Sequence, residues 1–416
     1  MRIVSAMMSA LVAATAFLSV PIAAQKAAPP KKVSLVEALP GVRSELDVDS
    51  QGRLSGPGAT LLKEAISAAR FIAVGEDHFT HEIPLFVSAL CDLTAPDLAA
   101  LALEVGPRSL KLLEPGLAAP DREQRMKRVF ANHPNAVAFL DSRDDNAMAA
   151  HCQKTSRNRA FRLIGADQEF VNAPSFLLDR ILVTRLSPVA RRAMIELKKR
   201  NHEAEARTRA TGDPSQLFLF SADDKAWADA EKALVQGGNP EARGILADLR
   251  ESHSIYALNS SPTPAMSNER RARLLKRNLV AGLPERGKVI LKFGDWHLYK
   301  GFNPLKQRDL GNFVAEYADM RGERSLHILV LGAKGTHAAF AGFAKPPVHA
   351  PFVMSDDKDY HWFKAAVGAQ LSSGWTLYDL RALRFRSLDM DADWTRTVYG
   401  YDLMIVIPEL TPSEAF

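Results

Sequence analysis

Cysteine is scarce in this sequence: Cys91 and Cys152 are the two in 416 residues. They show no spacing typical of a zinc site and no motif typical of a catalytic cysteine. In an oxidising compartment the two could pair. However, Cys91 lies in the apolar helical pattern FVSALCDL, where a buried free thiol is common. We therefore expect free thiols rather than a disulfide.

Several motifs of other enzyme classes are also missing. The sequence has no G-x-S-x-G, no P-loop and no G-x-G-x-x-G after a strand, so neither a serine hydrolase nor a nucleotide-binding enzyme is supported. The order H-x-x-H-E at 78–82 is not the H-E-x-x-H of zinc proteases. Lys and Arg number 53 but are scattered, and no nucleic-acid-binding motif accompanies the net charge of +5. We expect a small-molecule substrate and no nucleic-acid partner.

Beyond residue 25 the sequence lacks an apolar run long enough to span a bilayer. Residues 1–24 differ, because one arginine is followed by an uncharged apolar run that ends in small residues. This pattern predicts a signal peptide cleaved after Ala24, with an uncleaved anchor as the alternative. We expect an exported protein, periplasmic or secreted, without stable membrane insertion after signal removal.

The remainder of the chain alternates helical patterns with short, unbroken apolar runs. This alternation predicts an α/β fold with a mainly parallel central sheet and helices on both faces. Residues 25–58 are predicted to be a flexible lead-in and residues 59–416 a single α/β domain. Within that domain, consecutive helical patterns over 173–285 predict a helical insertion over the C-terminal edge of the strands.

Ionisable residues follow four of the predicted strands. These runs are FIAVG (71–75), LALE (101–104), FRLIGADQE (161–169) and VILKFGDWH (289–297). In an open parallel sheet the carboxyl ends of the strands line one edge, and ligands bind there. The residues that follow these strands are therefore predicted to share one pocket: Glu76, His78, Glu104, Asp167, Glu169, Asp295 and His297.

Two of the four strand ends share the pattern Gly-acid-x-His: GEDH (75–78) and GDWH (294–297). A histidine pair facing carboxylates supports either metal-free acid–base hydrolysis or metal coordination with a bound water as nucleophile. For some of these polar residues a purely structural role is an alternative. His81 and Glu82 could simply begin the next helix, and Asp167 could cap one.

The paired Gly-x-x-His motifs and strand-end glutamates resemble the erythromycin esterase-like, ChaN-like and Tiki-like superfamily. The matching segments are VGEDH, LALEVG and LKFGDWHLYKG, with weaker likeness in LIGADQEF, YDLMIVIPELTPS and RRARLLKRNL, the last holding Arg271 and Asn278. The esterase-like branch implies metal-free lactone hydrolysis with a histidine base. The spacing Gly-Glu-x-His is similar to the other two branches, which imply haem binding or a metal-dependent protease.

The sequence thus predicts an exported hydrolase of an ester, lactone or amide bond, most simply without a cofactor. The expected catalytic residues are His78, Glu76, Glu104, His297 and Asp167. The expected substrate-binding residues are His81, Glu82, Glu169, Lys292, Asp295 and Arg271. In the alternatives, His78, His297 and Glu104 bind Mn, Co or Zn, or a histidine is an axial haem ligand in a protein without turnover.

Overall fold

The structure, a computed structural model, describes residues 32–259 and 263–416. The predicted signal peptide lies outside the described residues. Thirteen strands are present in the described part. They are β1 (Val33–Ser34), β2 (Arg43–Val48), β3 (Leu54–Ser55), β4 (Phe71–Glu76), β5 (Leu98–Leu103), β6 (Arg162–Gly165), β7 (Lys288–Gly294), β8 (Ser325–Gly332), β9 (Lys334–Ala339), β10 (Val348–Val353), β11 (Trp375–Asp379), β12 (Leu388–Asp389) and β13 (Leu403–Ile407).

Fifteen α-helices accompany these strands in the described residues. They are α1 (Leu35–Ala38), α2 (Gly56–Ala68), α3 (Glu82–Thr94), α4 (Pro107–Leu117), α5 (Arg122–Asn132), α6 (Arg143–Thr155), α7 (Pro174–Val183), α8 (Pro188–Thr211), α9 (Phe218–Ser221), α10 (Asp224–Gly237), α11 (Pro240–Asn259), α12 (Ala265–Gly282), α13 (Leu310–Met320), α14 (Lys364–Gly368) and α15 (Ala392–Gly400). No helix in the described ranges is long and apolar enough to cross a membrane.

Nine of the strands form the central sheet, in the order β3-β2-β11-β13-β8-β4-β7-β5-β6. The run from β13 to β6 is parallel throughout, and β11, β2 and β3 extend one side in antiparallel pairing. All six residues of β4 and of β5 are buried, because helices cover both faces of the sheet. The predicted α/β fold with a mainly parallel sheet is therefore confirmed.

The apolar core divides into one cluster on each face of the sheet and a third among the helices. Phe71, Val289 and Leu329 belong to the first cluster, whereas their strand neighbours Ile72, Ile290 and Ile328 belong to the second. This alternation follows from the two-residue period of a strand. Between β6 and β7 the chain forms helices α7 to α12, and Trp227 is fully buried in the third cluster.

The lead-in predicted as flexible over 25–58 is structured from Val33 onward, and that part of the prediction is wrong. Strand β2 pairs with β11 and so extends the central sheet, with Leu46 fully buried. The turn-rich composition of this segment reflects the β2–β3 connection rather than an unfolded chain.

The expectation of free thiols is also wrong, because Cys91 and Cys152 form a disulfide. Cys91 lies on α3 and Cys152 on α6, and these helices pack together so that the two Cα atoms are 5.2 Å apart. The apolar pattern placed Cys91 correctly on a buried face. It could not show that α6 presents the second cysteine to that same face.

Candidate active site

Three adjacent strands bring the predicted site residues to one edge of the sheet. Strands β4, β7 and β5 are parallel neighbours, and Glu76 at the end of β4 is in register with Gly294 at the end of β7. Glu104 follows β5 directly. The carboxyl ends of these strands therefore form one cluster, as the sequence predicted.

His78 lies between the two glutamates. Its Nδ1 is 2.9 Å from Glu76 Oε1, and its Nε2 is 3.7 Å from Glu104 Oε2. Phe139 stacks on the imidazole, with ring centroids 4.4 Å apart. Glycine is needed beside this ring, because a Cβ added at Gly294 would lie 2.7 Å from His78 Nε2. The imidazole is thus held by a carboxylate, covered by an aromatic ring and left about a quarter exposed.

Glu104 is the centre of the cluster. Its Oε2 accepts a hydrogen bond of 2.7 Å from the Gly294 amide, and its Oε1 accepts one of 2.7 Å from Arg271 Nη2. His297 Nε2 is 3.5 Å from Oε1. A buried carboxylate with such neighbours keeps its charge, because each contact favours the ionised form.

Arg271, from α12 of the helical insertion, joins Glu104 to Asp167. It donates from Nε to Asp167 Oδ1 (2.9 Å) and from Nη2 to Asp167 Oδ2 (2.6 Å), a two-point contact that fixes the guanidinium plane. Within the described residues, Arg271 Nη1 has no hydrogen-bond partner. Asn278, about two turns further along α12, donates to the backbone oxygen of Ala166 at 3.1 Å, which anchors the same strand end.

His297 lies on a single helical turn, Asp295–His297, that follows β7. Its Nδ1 is 2.8 Å from Asp309 Oδ2, and Asp309 also caps the start of α13 through the Leu310 amide. Asp309 therefore orients His297 with Nε2 toward Glu104. His297 and His78 thus approach opposite oxygens of one carboxylate.

Lys292, predicted to bind substrate, is instead buried beneath the cluster. Its ammonium contacts Glu76 Oε1 and lies 2.7 Å from Asp145 Oδ1, and its side chain is 4% exposed. Burial acts to lower the pKa of Lys292, but the charges of Asp145 and Glu76 raise it above its usual range. Lys292 is a buried positive charge paired with both carboxylates. The structure therefore gives Lys292 a charge-pairing position inside the protein rather than one that lines the cavity.

The surrounding charges shift the pKa values of the site. Burial alone would lower the pKa of His78, but the hydrogen bond to Glu76 and the charge of Glu104 raise it to about 9. Burial would raise the pKa of Glu104, yet the neighbouring imidazoles and the guanidinium lower it to about 2. Burial and Arg271 act against protonation of His297, but nearby carboxylates raise its pKa. The site thus alternates imidazoles with carboxylates and a guanidinium, and each favours the charged form of its neighbour.

Four other predicted substrate-binding residues lie outside this cluster. Glu169 accepts hydrogen bonds from the amides of Arg108 (2.7 Å) and Ser109 (3.3 Å), so it is bound to the first turn of α4. Burial raises the pKa of Glu169 to about 7. Glu82 accepts from the amide and hydroxyl of Thr411 and fastens the C-terminal segment. Both carboxylates are therefore engaged by other parts of the protein and do not reach Glu104 or His78 in the structure.

His81 and Asp295 complete the list of predictions. His81 is half exposed, with Nδ1 2.8 Å from Asp144 Oδ1, and it makes no contact with the cluster in the described residues. Asp295 is buried, and its Oδ1 accepts a 2.9 Å hydrogen bond from Tyr360. Burial raises the pKa of Asp295 to about 7. Neither side chain is placed to bind a substrate beside Glu104.

The sequence interpretation missed Phe139, Asp145 and Asp309. Asp145 is on α6, Asp309 precedes α13 and Phe139 lies in the connection before α6, so none follows a parallel strand. Asp309 is a helix N-cap, and Asp145 is one of two adjacent acidic residues in the first turn of α6. The buried position of Asp145 contradicts the solvent-exposed location such first-turn acids usually have.

A cavity of about 230 Å³ reaches the cluster from the side of the helical insertion. Both polar and apolar residues line it. Its lining includes Glu104, Phe139, Asp167, Gln168, Tyr256 and Arg271. A small substrate in this cavity would meet Glu104 and Arg271 directly and His78 behind the Phe139 ring.

The donor set does not suit a metal ion or a haem. Both oxygens of Glu104 already accept hydrogen bonds, and Arg271 and Lys292 place two fixed cations beside the imidazoles. Among residues 32–259 and 263–416, no group of three or more His, Cys, Asp or Glu side chains is arranged to hold a metal ion. A haem would additionally need more than the 230 Å³ of this partly polar cavity.

Comparison with known proteins identifies the fold. No family model and no curated protein matches the chain. A histidine-to-asparagine mutant of erythromycin esterase EreC, in its open conformation, matches with a TM-score of 0.58 and 15% identity over 88% of this chain and 98% of that one. A succinoglycan biosynthesis protein matches with a TM-score of 0.57 and 13% identity, covering 91% and 97%. A Bacillus cereus protein matches with a TM-score of 0.54 and 16% identity, covering 92% and 98%.

These similarities extend over almost the whole length of each chain. The fold is therefore that of the erythromycin esterase-like proteins, as the strand-end motifs indicated. At 13–16% identity the likeness concerns the fold, and the chemistry has to be argued from the site itself.

Proposed function

We propose that this protein is a hydrolase that cleaves a carboxylic ester, lactone or amide bond, with His78 as the base that activates water. The observation that carries the proposal is the placement of His78 between Glu76 and Glu104 at the carboxyl edge of a parallel sheet, where its neighbours Glu104 and Phe139 line a cavity. The shared fold with an erythromycin esterase supports the same reaction class.

His78 would act through Nε2, since Nδ1 faces Glu76. With the proton held on Nδ1 by Glu76, Nε2 accepts a proton from water as the water oxygen attacks the carbonyl carbon. The same nitrogen then returns the proton to the leaving oxygen or nitrogen. Lys292 contacts Glu76 and is itself paired with Asp145, so Glu76 is held in place. The imidazole of His78 therefore keeps its tautomer and orientation.

Arg271 and His297 would stabilise the oxyanion that forms at the attacked carbonyl. Arg271 lines the cavity and has Nη1 without a hydrogen-bond partner among the described residues, whereas its other donors are fixed by Asp167 and Glu104. The contact of His297 Nδ1 with Asp309 orients the ring so that Nε2 faces Glu104. Preorganised donors of this kind contribute roughly 3–4 kcal/mol each to lowering a barrier.

The test is a panel of chromogenic esters, lactones and amides assayed with wild type and with His78→Ala and Arg271→Lys variants. We expect the first variant to lose turnover and the second to lose about 100-fold, because lysine cannot reproduce the two-point contact with Asp167. His151→Ala is the matched control, since His151 of α6 is an exposed histidine paired with Asp92 of α3. A folded His78→Ala protein with full turnover would refute the proposal.

We further propose that the reaction needs no metal and no haem. The support is the donor set, in which Arg271 and Lys292 already compensate the carboxylates. Elemental analysis and an absorption spectrum of protein purified without chelator test this. Stoichiometric Mn, Co or Zn would favour a metallohydrolase, and a Soret band that either histidine variant removes would favour a haem-binding protein.

Export to an oxidising compartment is proposed as well. The signal-peptide pattern of residues 1–24 and the Cys91–Cys152 disulfide support it, since stable disulfides form in such compartments. Cell fractionation with the intact gene product, compared with a version lacking residues 1–24, tests the assignment. Equal cytoplasmic recovery of both forms would contradict it.

A further inference from the structure

A second cavity of about 250 Å³ lies on the other side of the aromatic pair that borders His78. Phe79 follows His78 in the chain and packs against Phe139 with ring centroids 5.4 Å apart. Phe139 faces the first cavity, and Phe79 faces the second. The second cavity therefore shares a wall with the catalytic histidine.

Four phenyl rings line this second cavity: Phe79, Phe130, Phe340 and Phe416. Phe130 and Phe416 stack with centroids 5.7 Å apart and form one side. Prolines and alanines of the β9–β10 hairpin and its tip supply further lining. Aromatic rings attract a positively charged group through the negative potential of their faces.

One carboxyl group, that of Asp141, belongs to the same lining. Asn135 Nδ2 donates to Asp141 Oδ2 at 3.3 Å, and Asp141 has no ion pair within the residues that the structure describes. Burial raises the pKa of this carboxyl to about 6. An acidic group without a counter-ion among aromatic rings is costly unless a ligand supplies the missing charge.

The backbone around the second cavity is strained. Phe79, Asn135 and Ala344 line it and have positive φ angles of 66°, 54° and 56°, which non-glycine residues adopt rarely. Specific hydrogen bonds maintain these angles. The Phe79 oxygen accepts from the Ala338 and Ser413 amides, and Asn135 Oδ1 accepts from the Ala344 amide at 3.2 Å. Strain held in place this way concentrates at functional sites.

We propose that the second cavity binds an alkylammonium group on an apolar body, with the aromatic rings around the cation and Asp141 as its counter-ion. This inference goes beyond the proposed hydrolase function, because it assigns a ligand site on the other side of the Phe79–Phe139 pair.

Other charges near the second cavity set the electrostatic balance. Lys345 is exposed at its rim, and Arg143 lies over the Phe416 ring while pairing with Glu123 and Glu414. The charge of Asp145 acts with burial to raise the pKa of Asp141. The charge of Lys345 repels a cationic ligand. Replacing Lys345 should therefore raise the affinity for a cation, whereas replacing Asp141 should lower it.

The experiment measures binding of two soluble probes, 3-phenylpropylammonium and 3-phenylpropan-1-ol, by calorimetry and ligand-observed NMR at pH 7.5. We expect the ammonium to bind more tightly than the alcohol. Asp141→Asn should weaken the ammonium by about tenfold and leave the alcohol unchanged, and Lys345→Ala should strengthen the ammonium. Phe340→Ala, at an exposed ring, should weaken both probes with little effect on folding.

Equal binding of the two probes, or no binding of either, would overturn the proposal. So would an Asp141→Asn variant that folds like wild type and keeps the ammonium affinity. A preference for the alcohol that Asp141→Asn abolishes would mean a neutral hydroxyl ligand and would also refute the cationic assignment. Binding of the ammonium should fall as pH drops below about 6, where Asp141 gains a proton.

The probes separate this inference from the proposed hydrolase function. His78→Ala should bind the ammonium like wild type, because the second cavity does not include His78. If the probe binds and His78→Ala keeps full turnover, the hydrolase mechanism fails and the ammonium site stands. If turnover depends on His78 and the probe does not bind, the ammonium site fails and the hydrolase mechanism stands.

Discussion

Lys292 Nζ lies 2.7 Å from Asp145 Oδ1, and each side chain is 4% exposed, so β7 and α6 are joined by an ion pair inside the protein. The same ammonium contacts Glu76, the partner of His78. A charge that is removed from water needs its partners, because the desolvation cost is not otherwise recovered. His78, the proposed base, is thus coupled through Glu76 to a buried ion pair that must form when the chain folds.

Replacing Lys292 with methionine should destabilise the protein by roughly 3–5 kcal/mol, because Glu76 and Asp145 are then left as buried charges without compensation. Urea denaturation of both proteins measures the change in the free energy of unfolding. Lys225→Met is the control, since Lys225 forms a surface pair with Asp229 in which the side chains are 81% and 63% exposed. That control should change stability by less than about 1 kcal/mol. Equal effects of the two replacements would contradict the argument.

The raised pKa of His78 also makes stability depend on pH. The folded-state pKa of about 9 exceeds the ordinary value of 6.5, so protonated His78 favours the folded state. This contribution is fully present below about pH 6.5 and is lost as pH rises through 9, with an upper size of about 3 kcal/mol. In a His78→Gln variant the free energy of unfolding should change less between pH 6.5 and 9 than in wild type. Parallel curves for the two proteins would show that His78 is not the group involved.

The same pKa predicts how activity depends on pH. If His78 must lose its proton to act as a base, turnover should rise about tenfold per pH unit up to roughly pH 9. Glu76→Gln removes the hydrogen-bonding carboxylate and its charge, both of which raise the pKa of His78. The rising limb should therefore move to lower pH in this variant, while the maximum rate falls because the imidazole is less well oriented. An unshifted limb would assign the titration to another group.

Much of the site could be predicted from sequence because the carboxyl end of a buried parallel strand can be recognised as the point where an apolar run ends in polar residues. Each central strand is a short apolar run, and the polar residue that ends it must lie at one edge of the sheet. Glu76, His78, Glu104, Asp167 and His297 were placed together on this basis. The argument requires only that the strands be parallel, which buried apolar runs separated by helices indicate.

The same reasoning failed where a residue's role depends on packing between elements distant in sequence. Lys292 alternates with apolar residues in β7, and no local pattern shows that Asp145 of α6 lies against it. The Cys91–Cys152 pair was missed for the same reason, since it depends on how α3 meets α6. Glu169 follows a strand like its neighbour Asp167, but it points to the first turn of α4 instead of the cavity.

Loss of the disulfide should destabilise the protein measurably. The bond closes a loop between residues 61 positions apart, for which chain entropy predicts about 4 kcal/mol. A Cys91→Ala/Cys152→Ala variant and reduced wild-type protein should therefore both unfold at lower urea concentration than oxidised wild type. Reductant should have no further effect on the double variant, which controls for other consequences of the reagent. Coincident unfolding curves for oxidised and reduced wild type would contradict the prediction.

Gly294→Ala should damage the site more than the fold. Gly294 has φ of −51°, which any residue adopts, so the effect comes from the methyl group alone. That methyl group would lie 2.7 Å from His78 Nε2, and the imidazole must move away from the position set by Glu76. A displacement of about 1 Å in a catalytic group costs on the order of 100-fold in rate.

Gly368→Ala is the control, because a Cβ there meets no atom within 4 Å. We expect full activity from the control and a strong loss in kcat from Gly294→Ala, with each protein folded by circular dichroism. Unimpaired kcat in Gly294→Ala would mean that His78 can act from a displaced position, and that the close packing of His78 against β7 is not required for catalysis.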